Sequence, residues 1–244
     1  MTFCIGIKVS QGLIALADTR IVKGEEHLTK SKLSFSSNGG RRWWLVTSGL
    51  RSIRDKAVAY FEREMTECTH PSERLFELAN CFGQQLRRVR NEDGASLSAS
   101  NFSFNLHAVM GGQLSKDDSP KMYYIYPEGN WIESSEDSPY FIIGRTHYSK
   151  PILDRLLRHD TSLRHAVALA FLAFDATKAS VTDVDFPIDL IVAESKYGKS
   201  QYRRFHEEEL GHVSKWWHQK LSDALSQFPV ECFDPLFETE LRSE

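Results

Sequence analysis

The spacing of the first two apolar segments constrains this chain more than any other feature. Phe3, Ile5, Ile7 and Val9 share one face of a predicted strand over 2–9, and the run LIALA lies in a second predicted strand over 12–18. Between them, SQG (10–12) has the length of a hairpin turn, with Gly12 free to take positive φ. The two strands are therefore expected to be antiparallel neighbours.

The same reading extends along the chain. A strand over 42–48 follows the turn SNGG (37–40), and two helices follow it. The first covers about 51–66. The second starts near 70–74 and carries Leu75, Leu78, Ala79, Phe82, Leu86 and Val89 at helical spacing. Strands return at 101–112, 121–127 and 138–143, with PEGNW (127–131) as a turn. A second helical pair spans 150–159 and 162–179, and 186–194 is a further strand. A charged helix over 206–228 ends the pattern.

Hairpin-length connections outnumber βαβ crossovers, which predicts antiparallel sheets with the helices segregated in pairs. A sheet covered by helices on one face must bury the other on something, and a second sheet is the natural partner. The expected fold class is thus α+β, a four-layer αββα sandwich of two antiparallel sheets flanked by helix pairs. Residues 1–244 read as a single domain, with 199–244 as a helical terminal segment. A chain of 244 residues is long enough for this in one core.

Composition narrows the function classes. The net charge of −3 gives no reason to expect nucleic acid or a membrane surface as partner. The basic stretches at 41–44 and 86–90 read as a strand start and a solvated helix face. No basic-then-apolar leader opens the sequence, and no apolar run approaches the ~20 residues a membrane span needs. Cys4, Cys68, Cys81 and Cys232 lie far apart without CxxC spacing, which suits reduced thiols in a cytoplasm better than a disulfide framework or zinc site. HEEELGH (206–212) resembles a zinc-protease signature superficially, but its histidines stand at i and i+6, on nearly opposite helical faces. Neither a metal nor a cofactor is expected. There is no Gly-rich phosphate loop and no GxSxG elbow.

Certain motifs carry a resemblance. Thr2 opening a strand, GIK (6–8), and ADTR (17–20) with Gly24 shortly after are similar to the start of proteasome-type β subunits. KSKLSF (30–35) occupies the place of that family's lysine-led apolar strand. YIYPEGNWIE (124–133), PYFIIGRTHYSKPILDR (139–155), FDAT (174–177) and FPIDL (186–190) resemble the bacterial Anbu branch of the family, the ancestral β subunits. The similarity spans about 2–195 and is much weaker in the last fifty residues. It implies an N-terminal-nucleophile hydrolase fold, the four-layer sandwich that the element order suggests.

The resemblance also implies a chemistry. A threonine hydroxyl is a poor nucleophile until a base takes its proton, and an N-terminal threonine supplies its own α-amine for this. That amine titrates near ~7.7–8. A nearby lysine ammonium lowers this further, and an aspartate orients the lysine. Carried over residue by residue, the family trio falls on Thr2, Asp18 and either Lys30 or Lys32. The two lysines share strand parity, and Lys32 is preferred because it directly precedes LSF. Gly49 in TSGL (47–50) is the candidate for the backbone oxyanion hole, against a plain turn glycine.

GRTH (144–147) offers Arg145 and Thr146 where many family members have a serine near the threonine amine. Ser180 and Asp183 lie where the family has a supporting serine and aspartate. The implied activity is that of a threonine-type peptidase acting after removal of Met1, on a peptide or protein substrate, in a homo-oligomer that is a ring or an open helix. An ATPase partner is unspecified. The departures around Arg145 leave a silent assembly protein as the alternative, and a small-molecule amidase as a third reading.

Overall fold

The structure is a computed structural model that describes residues 2–23, 26–37, 42–67, 72–195 and 200–237. Contacts divide it into two units, 1–206 and 207–244.

The first unit is the four-layer sandwich. One sheet contains β1 (Phe3–Val9), β2 (Gly12–Asp18), β10 (Tyr140–Gly144), β11 (Ile188–Glu194) and β12 (Ser200–Phe205), in the order β10-β1-β2-β11-β12. The other contains β5 (Leu33–Ser36), β6 (Arg42–Gly49), β7 (Leu106–Gln113), β8 (Lys121–Ile125) and β9 (Trp131–Glu133), in chain order. A separate hairpin joins β3 (Arg20–Lys23) to β4 (Glu26–Thr29). Every strand pairing is antiparallel. The helices come in pairs. α1 (Arg51–Glu67) and α2 (Leu75–Ala99) cover the second sheet, and α3 (Lys150–Leu156) and α4 (Leu163–Lys178) belong to the first.

Strand alternation explains why so many strands are apolar throughout. On β6, Trp43 and Leu45 enter the core under α1 and α2, while Trp44 and Val46 enter the core between the sheets. On β2, Leu13, Ala15 and Ala17 face the intersheet core, so Ile14 and Leu16 point to the helix side. Both faces are buried, and the strand reads as a continuous hydrophobic run. Phe3 on β1 meets Phe174 of α4 with ring centroids 6.2 Å apart.

The boundaries differ from the sequence expectation in several places: the β3–β4 hairpin was not foreseen, α3 stops at Leu156, and the terminal segment expected to be helical from 199 begins with a strand. Helix α2 runs on to Ala99, and β7 starts only at Leu106. NFSFN alternates like a strand but forms a loop, because no neighbouring strand pairs with it. β12 was not anticipated, since QYRRF lacks apolar alternation; among the described residues it is an edge strand paired only to β11. PEGNW forms its turn, with Gly129 at φ 79°, and Trp131 then starts β9. The predicted turn over 37–40 lies largely outside the described residues.

The second unit has α5 (Glu207–Ser226), opened by Glu207, Glu208 and Glu209 at the positive end of its dipole, and a short 3₁₀ segment over Val230–Leu236.

The Trp44 indole fills the intersheet layer because Gly6 and Gly111 leave it room. A Cβ on Gly111 would sit 2.2 Å from Cζ2 of Trp44, whereas one on Gly6 would meet Met122, Trp44 and Val109 at 2.9 Å. Overpacking of this kind destabilises by ~1–3 kcal/mol. Gly111→Ala should therefore lower the melting temperature in calorimetry, and by more than Gly6→Ala. Equal, unshifted melts would show that the sheets part freely at Trp44.

Candidate active site

The register of the first hairpin places the site. β1 and β2 pair from Val9↔Gly12 to Cys4↔Ala17, and one step further brings Phe3 opposite Asp18. The Phe3 N–H donates to Asp18 Oδ1 at 2.8 Å. Lys32 Nζ donates to the same oxygen at 2.7 Å and to the Arg20 carbonyl at 2.8 Å. Thr2 is 7% exposed, Lys32 6% and Asp18 0%. Asp18 and Lys32 are thus bonded to each other and to the backbone of the residue after Thr2.

Burial opposes pairing at Asp18. Loss of water pushes its carboxyl up to about 6, against the Lys32 charge and the hydrogen bonds from Lys32 and the Phe3 N–H, which pull it down. Asp18 Oδ2 is buried without a hydrogen-bond partner among the described residues. Burial also raises the neighbouring Cys4 thiol far above its ordinary range, so Cys4 stays protonated and does not compete as a nucleophile.

The two lysines separate cleanly. Lys32 points inward, whereas Lys30 is exposed and lies 3.6 Å from Asp55 of α1. Neither sits within a strand, because β5 begins only at Leu33, so the parity that would put both on one face does not apply.

Thr2 is held from its other side by β10. The Arg145 N–H donates to the Thr2 carbonyl at 2.8 Å. Gly144 has φ 93°, and a Cβ there would stand 1.9 Å from the Thr2 oxygen, so only glycine permits the approach. The Arg145 guanidinium turns to Asp183, at 2.9 and 3.4 Å. That ion pair, with the Arg145 N–H bond to Thr2, links the segment before β11 to the Thr2 backbone. Ser180 donates its hydroxyl to the Ala176 carbonyl, 2.9 Å away at the end of α4.

A cleft of about 610 Å³ opens beside Thr2. Gly49, at the end of β6 with φ 146°, lines it together with Ser48, the 101–105 segment, His107 and Tyr124. A Cβ on Gly49 would stand 2.1 Å from the Asn105 oxygen. Glycine is required there by close approach, whatever its chemistry.

Sequence reasoning missed Arg54, His107 and Tyr124. Arg54 on α1 donates to Thr47 Oγ1 at 3.0 Å and to the Ser31 carbonyl at 2.8 Å, beside Lys32. The Thr47 N–H itself donates to the Lys32 carbonyl at 3.2 Å. Arg54 therefore ties the Lys32 segment to β6. Its only sequence signal is a position one turn into α1, where an exposed arginine reads identically.

Two buried charges behind an exposed cleft, centred on a residue at the start of the first strand, in an antiparallel αββα sandwich, define the N-terminal-nucleophile hydrolase fold. The chain belongs to the proteasome subunit family, whose pattern matches residues 2–192. Among solved structures it is similar to Anbu (ancestral β-subunit) from Yersinia bercovieri, at 28% identity over 93% of this chain and 97% of that one, with a TM-score of 0.85. A mutant of Anbu from Hyphomicrobium sp. strain MC1 is 30% identical over 93% and 99%, with a TM-score of 0.84. The helical assembly of the Anbu complex from Pseudomonas aeruginosa gives 26% over 93% and 97%, with a TM-score of 0.87. No curated protein matches the chain.

Arg54→Lys cannot span both acceptors, because a single ammonium replaces the planar fork. The variant should fold, and the Thr47 amide should exchange with deuterium faster than in the parent. Unchanged exchange at Thr47 would show that Arg54 does not hold the Lys32 segment.

Proposed function

We propose that this protein is an N-terminal-threonine hydrolase of peptide bonds, acting once Met1 has been removed. The observation that carries the reading is the Lys32–Asp18 pair, buried directly behind the start of β1 and bonded to the backbone of the residue after Thr2.

In this reading the Thr2 α-amine, directly or through one water, takes the proton from Thr2 Oγ. The oxygen attacks the scissile carbonyl. The oxyanion that forms is met by the Gly49 N–H. The Lys32 ammonium disfavours a second positive charge on the amine and stabilises negative charge developing at Oγ. The ammonium formed at Thr2 then returns its proton to the leaving amine, and water hydrolyses the acyl ester. Asp18 is the positioning residue for Lys32, and Asp183 acts more remotely through Arg145.

Self-assembly belongs to the same proposal. A helical assembly is known for the similar Anbu complex from Pseudomonas aeruginosa, and enclosure would restrain an otherwise open hydrolase. Among the described residues no helix is long and apolar enough to cross a membrane, and scattered thiols suit a cytoplasmic setting.

Intact mass before and after incubation with a threonine-directed epoxyketone tests the chemistry. Loss of Met1 and one probe adduct are expected, with no adduct on Thr2→Ala and a rate of labelling reduced ~10²-fold or more in Lys32→Ala. A chain that keeps Met1 and takes no adduct would favour the assembly-protein reading. Light scattering should return a mass well above 28.0 kDa for the purified chain.

Asp18 gives opposite signs for activity and stability. In the folded chain its carboxyl protonates below about 6, from an ordinary value of 3.8. The folded state binds that proton more tightly than the unfolded one, so this group contributes stability at low pH that is lost as pH rises from about 4 to 6. Between pH 6 and 4 the labelling rate should fall, as Lys32 loses its anionic partner. Over the same window the parent should gain stability relative to Asp18→Asn in urea titrations. A stability difference that moves the other way would show that Asp18 is held ionised below its ordinary value.

A further inference from the structure

The cleft beside Thr2 has two unlike walls. One is formed by Ile142, Ile143 and Gly144, three consecutive residues of β10. Ile142 and Ile143 point to opposite faces of the strand and Gly144 has no side chain, so the strand meets the cleft with its backbone as well as its side chains. β10 is the outermost strand of its sheet, paired among the described residues with β1 alone. Its other edge leaves backbone donors and acceptors for an added strand.

The opposite wall combines the 101–105 segment with His107 and Tyr124. The Tyr124 hydroxyl and His107 Nδ1 lie 2.9 Å apart, so these two side chains bond to each other. Burial lowers the His107 titration and raises that of Tyr124, which keeps both neutral near pH 7. None of the described residues lining the cleft is Asp, Glu, Lys or Arg. The neighbouring charge, Arg145, is engaged by Asp183.

We propose that this cleft holds an extended peptide segment with uncharged side chains, laid along the free edge of β10. Strand addition supplies sequence-independent backbone bonds, and the pocket across from it sets side-chain choice. Phe102, Tyr124 and Ile142 offer apolar contact, and Asn101, Ser103 and Asn105 offer neutral donors and acceptors. A charged side chain entering there sheds water and finds no counter-charge. The inference rests on Thr2 being the nucleophile, since it is Thr2 in the cleft lining that would make a peptide held there a substrate.

The test separates the two readings by measuring binding without catalysis. Capped hexapeptides carrying an uncharged fluorophore, identical except for a central Phe, Gln, Asp or Lys, are titrated into full-length Thr2→Ala and followed by anisotropy. Phe and Gln peptides should bind about tenfold or more tighter than the Asp and Lys peptides. Ser103 is exposed at the rim, and adding Ser103→Lys should raise the affinity for the Asp peptide while lowering that for the Lys peptide. Equal affinities for all four peptides, no binding of any, or an Asp-to-Lys ratio unmoved by Ser103→Lys would each overturn the assignment. Probe labelling of the parent reports on the hydrolase reading independently. An adduct at Thr2 with indiscriminate peptides would leave a hydrolase without this subsite. Selective peptides without an adduct would leave a peptide-binding cleft without the chemistry.

Discussion

The bond from Lys32 to Asp18 is the constraint around which the rest of this structure is arranged. Neither charge reaches bulk water, and an ion pair in such a place is stable only if its remaining donors and acceptors are also met. Lys32 gains the Arg20 carbonyl, and Asp18 gains the Phe3 N–H. Each of these partners in turn fixes a segment. The Arg20 carbonyl lies at the start of β3, Phe3 starts β1, and the Lys32 segment is tied to β6 through Thr47 and Arg54. Removing one partner would leave a charge buried alone, so the pair holds three pieces of chain in one geometry. Asp18 is still raised to about 6 despite its partners, because desolvation outweighs them.

How much of this was legible in the sequence follows from how local each determinant is. Asp18 came from the family resemblance, and the first hairpin shows why it falls where it does: its place depends only on two alternating segments and a turn of hairpin length. Once Val9 pairs with Gly12, the register delivers Phe3 to Asp18 with no long-range information. The two sheets and paired helices followed from the order of elements. The choice between Lys30 and Lys32 was harder, because it turns on where β5 begins, and that is set by pairing of Leu33 with Val46 of another strand. Lys32 was preferred for its place before LSF, and the structure does turn it inward; the parity argument did not distinguish the two.

Other parts were not legible, for physical reasons that differ. Residues 101–105 have the alternation of a strand, yet among the described residues no strand pairs with them. β12 is an edge strand whose inward anchor is polar: Arg204 and the Tyr202 hydroxyl both donate to the buried Asp189. An apolar period cannot reveal a strand held that way. Arg54 is a surface-type residue by sequence, and only the fold shows that its guanidinium bridges two segments. In each case the determinant is a tertiary contact, or the lack of one, that an apolar period does not encode.

Charge is also partitioned across Thr2. Behind it lie Lys32 and Asp18; in front lies a cleft lined by no formally charged side chain among the described residues. The division has an electrostatic consequence. A carboxylate or ammonium in the cleft would add its own field to that of Lys32 at the Thr2 amine, in a region partly shielded from water where charges interact more strongly than in bulk. An anionic side chain would favour the protonated amine and so oppose its use as a base; a cationic one would favour the neutral amine but compete with the proton transfer that follows. On the proposal that Thr2 is the nucleophile, a neutral cleft leaves its amine under the influence of two fixed ion pairs, Lys32–Asp18 and Arg145–Asp183. On that proposal, the lack of charged lining residues in front of Thr2 and the burial of charge behind it are two parts of a single arrangement, in which the fold rather than the occupant of the cleft would set the basicity of the Thr2 amine.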